Sequence, residues 1–189
     1  MEVTNAIFDI SRYKYFSDYY VETGAAAGAS ISRALRAGFA RIESIELDPQ
    51  WVTFCKTKFS VNVSNGWVII HHGKSSDLLG GLINQPSVIL LDAHPSGPGT
   101  AGHEDVLEKG DLSEFTQDKI LDAELEIIVK KQQLEGIKCL VVIDDYGPSY
   151  ENLIKSWLGP THDFEVFDEL LEGSGARYFK DKIIVATPR

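Results

Sequence analysis

Short apolar, β-branched runs alternate along the chain with segments of helical periodicity. The first run is Tyr19-Tyr20-Val21-Glu22-Thr23, followed by a Gly/Ala-rich turn and a helix predicted from about residue 30 to 38. The second is Arg41-Ile42-Glu43-Ser44-Ile45-Glu46. Asp48 then has the short acceptor side chain of an N-cap, and Pro49 suits the first turn of a helix continuing to about Phe59. A third run, Trp67-Val68-Ile69-Ile70-His71-His72, precedes a helix over about 75–83. The fourth, Ser87-Val88-Ile89-Leu90-Leu91-Asp92, is continuous rather than alternating, as in a strand covered on both faces.

A long polar stretch, 93–117, carries Pro95, Pro98 and several glycines. A loop of that length inside a domain reads as a substrate lid with glycine hinges, against the alternative of a disordered surface excursion. The helix that follows, about 118–134, places Leu121, Leu125, Ile128 and Val129 on one face. Cys139-Leu140-Val141-Val142-Ile143 is the fifth run, ending in Asp144-Asp145, and a helix is expected around 151–158. Two last runs, 164–167 and 183–186, flank Gly173-Ser174-Gly175 and read as a hairpin. Five βα repeats closed by a hairpin predict one α/β domain over 1–189, an open, mostly parallel sheet with helices on both faces.

Composition narrows the function classes. The chain has 189 residues, 43% hydrophobic and 24% charged, which excludes a disordered chain, a collagen-like repeat and a disulfide scaffold. Eighteen basic against 28 acidic residues give a net charge of −10, a poor match to the phosphate backbone of nucleic acids or to anionic membranes. Cys55 and Cys139 lie in apolar stretches and read as buried reduced thiols. No apolar run reaches the ~18–20 residues that cross a bilayer. Residues 1–20 lack the pattern of a signal peptide, so the expected compartment is cytoplasmic.

In an open parallel sheet, ligands sit beyond the carboxyl ends of the strands. The first strand runs into Gly24-Ala25-Ala26-Ala27-Gly28-Ala29-Ser30, a thin loop that a ligand can approach closely, with a helix N-terminus behind it. Glu46, 22 residues after Gly24, ends the second strand where an acid accepts hydrogen bonds from ribose hydroxyls. Together they point to an adenosine-type ligand, although the spacing is not that of a dinucleotide-binding turn. Asp92 and the pair Asp144-Asp145 end two strands expected to be neighbours. Three carboxylates at one mouth call for a cation, and oxygen donors favour Mg²⁺, Mn²⁺ or Ca²⁺, against the alternative that Asp144 or Asp145 caps the following loop. Asp92 and His94 are the candidate catalytic residues, His94 as general base or fourth ligand, against a loop histidine that stacks on the cofactor or faces water. His71 and His72 read as packing for at least one of the two. Phe54 and Phe59 fit a helix core face, and Trp51, Trp67 and Trp157 read as partly buried anchors.

The runs Val21-Glu22-Thr23-Gly24 to Gly28-Ala29-Ser30, Ser44-Ile45-Glu46-Leu47 and Leu90-Leu91-Asp92-Ala93-His94 resemble a class I S-adenosylmethionine-dependent methyltransferase over about residues 20–146. The resemblance implies a Rossmann-like sheet of seven strands, the last antiparallel. It implies that Glu22, Gly24, Ala25, Gly28 and Ser30 hold the methionine part of the cofactor. Glu46 and Leu47 would hold the ribose, Lys74 and Ser75 would flank the adenine, and Asp92 would be a further cofactor-binding residue. Gly73-Lys74 departs from the acidic residue many relatives carry there. Val142-Ile143-Asp144-Asp145-Tyr146-Gly147 resembles the metal-bearing strand of cation-dependent O-methyltransferases of the macrolide-sugar and catechol types. That implies a Mg²⁺-like ion on Asp92, Asp144 and Asp145 and a small hydroxylated acceptor.

Two alternatives stand beside this. One is a nucleic-acid methyltransferase of the same fold, opposed by the net charge and by Asp92-Ala93-His94-Pro95 in place of an Asn/Asp-Pro-Pro-aromatic run. The other is a non-catalytic cofactor-binding or interaction module. The sequence leaves room for a homo-oligomer and does not name the acceptor.

Overall fold

The computed structural model describes residues 2–93, 116–144, 150–170 and 180–189. The elements in chain order are β1 (Glu2–Ile7), a 3₁₀ turn (Ile10–Tyr13), β2 (Tyr19–Thr23), α1 (Ala29–Ala37) and β3 (Arg41–Glu46). Then come α2 (Pro49–Lys58), α3 (Ser60–Ser64), β4 (Val68–His72), α4 (Ser75–Leu82) and β5 (Ser87–Leu91). The last are α5 (Gln117–Glu135), β6 (Cys139–Ile143), α6 (Glu151–Leu158), β7 (His162–Leu170) and β8 (Lys180–Pro188).

All eight strands lie in one sheet, ordered β1-β7-β8-β6-β5-β2-β3-β4. The seven expected strands are present, and the last, β8, is antiparallel to both β6 and β7. The eighth was not foreseen. β1 pairs parallel with β7 at the far edge, although residues 2–7 lack the apolar density of the other strands. The hairpin expected near the end is the β7–β8 pair, longer than predicted, with register from His162 opposite Pro188 to Leu170 opposite Lys180. Gly173, Ser174 and Gly175 lie outside the described residues.

Alternation along the strands feeds two apolar layers. Tyr20, Ile42, Val88, Leu90, Leu140 and Val142 face α1 and α2. Val21, Ile45, Ile89, Leu91, Val141 and Ile143 face α4, α5 and α6. The predicted apolar face of α5 is the buried one: Leu121, Leu125, Ile128 and Val129 all lie in the second layer.

From β2 the chain winds outward through β3 to β4. It then returns to the other side of β2 and continues through β5 to β6. The direction of winding therefore reverses between β2 and β5. In open α/β sheets that reversal opens a crevice at the strands' carboxyl ends.

Candidate functional site

Backbone hydrogen bonds align the residues just past the strands at one level. Gly24 N–H donates to Ile45 O (2.9 Å), Gly73 to Glu46 O (3.0 Å), Asp92 to Thr23 O (3.2 Å) and Asp144 to Leu91 O (3.1 Å). The glycine loop, Glu46, Gly73, Asp92 and Asp144 thus share one edge, as the sequence predicts.

The loop from Gly24 to Gly28 is held in a backbone shape that suits glycine at two of its corners. Gly24 and Gly28 have φ of 82° and 72°, and Ala26 between them has φ of 41°, the one non-glycine residue with positive φ among the described residues. Such a conformation costs about 1–3 kcal/mol in a residue with a side chain and persists only where its surroundings enforce it. Gly24 also lies against β5: a Cβ there would come within 2.5 Å of Asp92 O. A Cβ on Gly28 would come within 2.5 Å of the Phe59 ring. Ala25 is buried, and its carbonyl accepts the Gly28 N–H at 2.7 Å. Among the described residues no side chain caps α1, which leaves its first N–H groups available to an anion.

Glu22 and Ser30, both assigned to the methionine part of a cofactor, are turned toward each other beneath the loop. The Glu22 carboxylate is fully buried and accepts from Ser44 Oγ (2.7 Å) and Tyr20 Oη (3.0 Å). Ser30 also hydrogen-bonds it. Burial raises its pKa from 4.5 to about 7, outweighing those hydrogen bonds and the field of Arg33, which favour the charged form. An unfolded chain releases this proton near 4.5 and the folded chain near 7, so the stabilisation present below 4.5 is lost as the pH rises through 7. The loss is on the order of 3 kcal/mol. Glu22→Gln is expected to remove this slope, measured by urea denaturation between pH 4.5 and 8. An unchanged slope would mean that Glu22 ionises like an exposed carboxylate.

Glu46 is the hub of the edge. Its Oε2 accepts from Ala26 N (2.7 Å) and its Oε1 from Asp48 N (2.8 Å). A carboxylate offers about four acceptor positions, so about two remain for ligand hydroxyls. Leu47 is half-buried beside it, its carbonyl 3.1 Å from His72 Nε2. Lys74 is the exposed residue ahead of α4, and half-buried Ser75 is that helix's first residue.

Asp92 and Asp144 stand at the ends of neighbouring strands, both half-buried. As donors they fit a hard cation in kind, since both supply carboxylate oxygens. Asp145, His94 and residues 94–115 of the expected lid lie outside the described residues. Among the described residues no cluster of three His, Cys, Asp or Glu could hold a metal.

Some expectations change. Phe54 is not on the core face; its ring is about half exposed and stacks edge-on with Trp51, while Phe59 takes the buried position. Trp67 is likewise more exposed than buried. Both cysteines are free and buried, and burial pushes their thiols up to about 11. His71 packs, as expected, but against a charge: its Nε2 lies 2.5 Å from Glu43, a buried carboxylate that also pairs with Arg41.

One face of α2, not singled out from the sequence, also meets the glycine loop. Cys55 Sγ donates to Ala26 O (3.2 Å), Lys58 Nζ donates to Ala27 O (2.7 Å), and Phe59 abuts Gly28. Their i, i+3, i+4 spacing was the available signal, because it stacks the three on one side of the helix.

With β1 set aside, the strand order counted along the chain is 3-2-1-4-5-7-6, with an antiparallel last strand, the Rossmann-like fold of class I methyltransferases. An O-methyltransferase from Bacillus cereus in complex with S-adenosylhomocysteine superimposes with a TM-score of 0.58 at 13% identity, over 95% of this chain and 77% of that one. A candidate RNA methyltransferase from Pyrococcus horikoshii gives 0.56 at 14% identity, over 95% and 77%. Spermidine synthase from Thermotoga maritima gives 0.59 at 11% identity, over 96% and 57%. At these identities the likeness is one of fold. No protein-family description matches the sequence, and no curated protein matches it. Among the described residues no helix is long and apolar enough to cross a membrane.

Proposed function

We propose that the chain is an S-adenosylmethionine-dependent methyltransferase acting on a hydroxyl of a small polyhydroxylated or catechol-like acceptor, aided by a divalent cation on Asp92, Asp144 and Asp145. The observation that carries the cofactor assignment is the joint between Glu46 and the glycine loop at the crevice between β2 and β5. There a thin loop and an acid with spare acceptor positions stand side by side.

S-adenosylmethionine would supply a methyl group on a sulfonium centre, transferred by in-line displacement. The protein's own work is then mainly placement. Glu46 would accept from the ribose hydroxyls, the Gly24–Gly28 loop would admit the amino-acid part, and α1 would offer N–H groups to its carboxylate. Acidic residues along the edge suit a cationic ligand. A cation on Asp92, Asp144 and Asp145 would supply Lewis-acid lowering of the acceptor hydroxyl's pKa. A nucleic-acid acceptor is the second reading, supported by the Pyrococcus neighbour and opposed by the net charge of −10.

Calorimetric titration with S-adenosylhomocysteine tests the cofactor, and saturable binding is expected. For the cation, methyl transfer across a panel of small hydroxylated acceptors is expected to require Mg²⁺, and Asp144→Asn to lose that requirement together with most turnover while S-adenosylhomocysteine affinity stays within about twofold. Turnover indifferent to chelator would remove the cation from the proposal. Preference for RNA over small acceptors would reverse the ranking of substrates.

A further inference from the structure

We propose that Lys58 is a positioning residue for the cofactor loop: with Cys55 and Phe59 it forms a clamp on α2 that holds Ala26 and Ala27 in the shape that receives the amino-acid part of S-adenosylmethionine. The inference rests on the cofactor reading above and adds residues from an element that reading does not use.

The strained residue Ala26 is gripped from two sides. Glu46 takes its N–H at 2.7 Å, and Cys55 Sγ donates to its carbonyl at 3.2 Å. One residue on, the Lys58 ammonium donates to the Ala27 carbonyl at 2.7 Å. The Phe59 ring then fills the space against Gly28 that a side chain there would need. Two consecutive loop carbonyls are therefore tied to one helix.

Lys58 is exposed, and a surface lysine ordinarily samples many rotamers. Here two aromatic rings restrict it. Its Nζ lies 5.1 Å from the Phe59 ring centroid and 5.9 Å from that of Phe54, within cation–π range. This gives a physical reason for Phe54 to stand half exposed on α2. The ammonium is poised before any ligand arrives, so the loop's shape need not be set at the expense of binding.

The test uses the whole chain and two variants. Lys58→Met keeps the apolar stem over the rings and removes the charge, and Lys58→Arg restores a donor. Lys58→Met is expected to weaken S-adenosylhomocysteine about tenfold by calorimetry and to leave 5′-methylthioadenosine, which lacks the amino-acid part, within about twofold. Lys58→Arg is expected to recover most of the loss. Amide hydrogen exchange at residues 26–28 without ligand is expected to speed up in Lys58→Met. Equal affinities in wild type and Lys58→Met, or equal losses for both ligands, would overturn the positioning role. If the wild-type chain binds neither ligand, the cofactor reading falls, and unchanged exchange at 26–28 separately overturns the clamp.

Discussion

Gly24→Ala is expected to abolish detectable S-adenosylhomocysteine binding and to lower stability by about 3 kcal/mol. Two costs add. The position has φ of 82°, where an L side chain is strained by roughly 1–2 kcal/mol. The added Cβ would also come within 2.5 Å of the Asp92 carbonyl oxygen and 2.9 Å of its carbon. Those are backbone atoms, and the Asp92 N–H is fastened to Thr23. Neither β2 nor β5 can move aside without breaking the sheet at its centre. Gly66→Ala is the control, since Gly66 has φ of 74° and nothing within 4 Å of a built Cβ. It should lose only ~1 kcal/mol and keep wild-type affinity. Urea denaturation and calorimetry on the two variants give the comparison, and equal behaviour would mean that close approach at the crevice is not what Gly24 provides.

Glu46→Gln is expected to be nearly as damaging, although the side chains are almost the same shape. The carboxylate accepts one backbone N–H on each oxygen, from Asp48 and from Ala26. An amide has one acceptor oxygen, so its NH₂ must face one of those donors. The variant loses a charge-assisted hydrogen bond and sets donor against donor at a nearly buried site. Affinity for S-adenosylhomocysteine should fall on the order of 100-fold and the midpoint of thermal unfolding should drop by several degrees. If affinity falls and stability does not, Glu46 acts on the ligand alone and the joint to Ala26 is dispensable.

The sequence carried the strands well where their physics is local. The runs at 87–91 and 139–143 have no polar interruption between their first and last residues, and both form central strands buried on both faces. The acids at the ends of β3, β5 and β6 were legible for the same reason: a strand of known direction places its last residue on a known edge. What escaped depended on side-chain partners that the local apolar pattern does not show. Glu22 looks like a ligand-facing acid in sequence, and only the side chains of Ser44 and Tyr20 show that it lies beneath the loop. Phe54 fits an apolar stripe, but the buried place on α2's end goes to Phe59. β1 has a weak pattern of its own because its pairing depends on β7.

That last pairing has a consequence for how the chain is made. Glu2 pairs with Glu165, so β1 waits on the ribosome for β7, whose paired residue is made 163 residues later. At ~5–20 residues per second the wait is about 8–30 s, far longer than the microseconds to milliseconds in which single hairpins and helices form. Between them, β8 must enter the gap bordered by β6 and β7, closing the sheet from its middle. The half built on β2 to β5 can assemble as it emerges, with the crevice already formed, while residues 2–7 stay unpaired. Synthesis therefore divides the molecule into an early half that holds the crevice and a late edge. A ligand present during translation would meet its crevice before the sheet is complete.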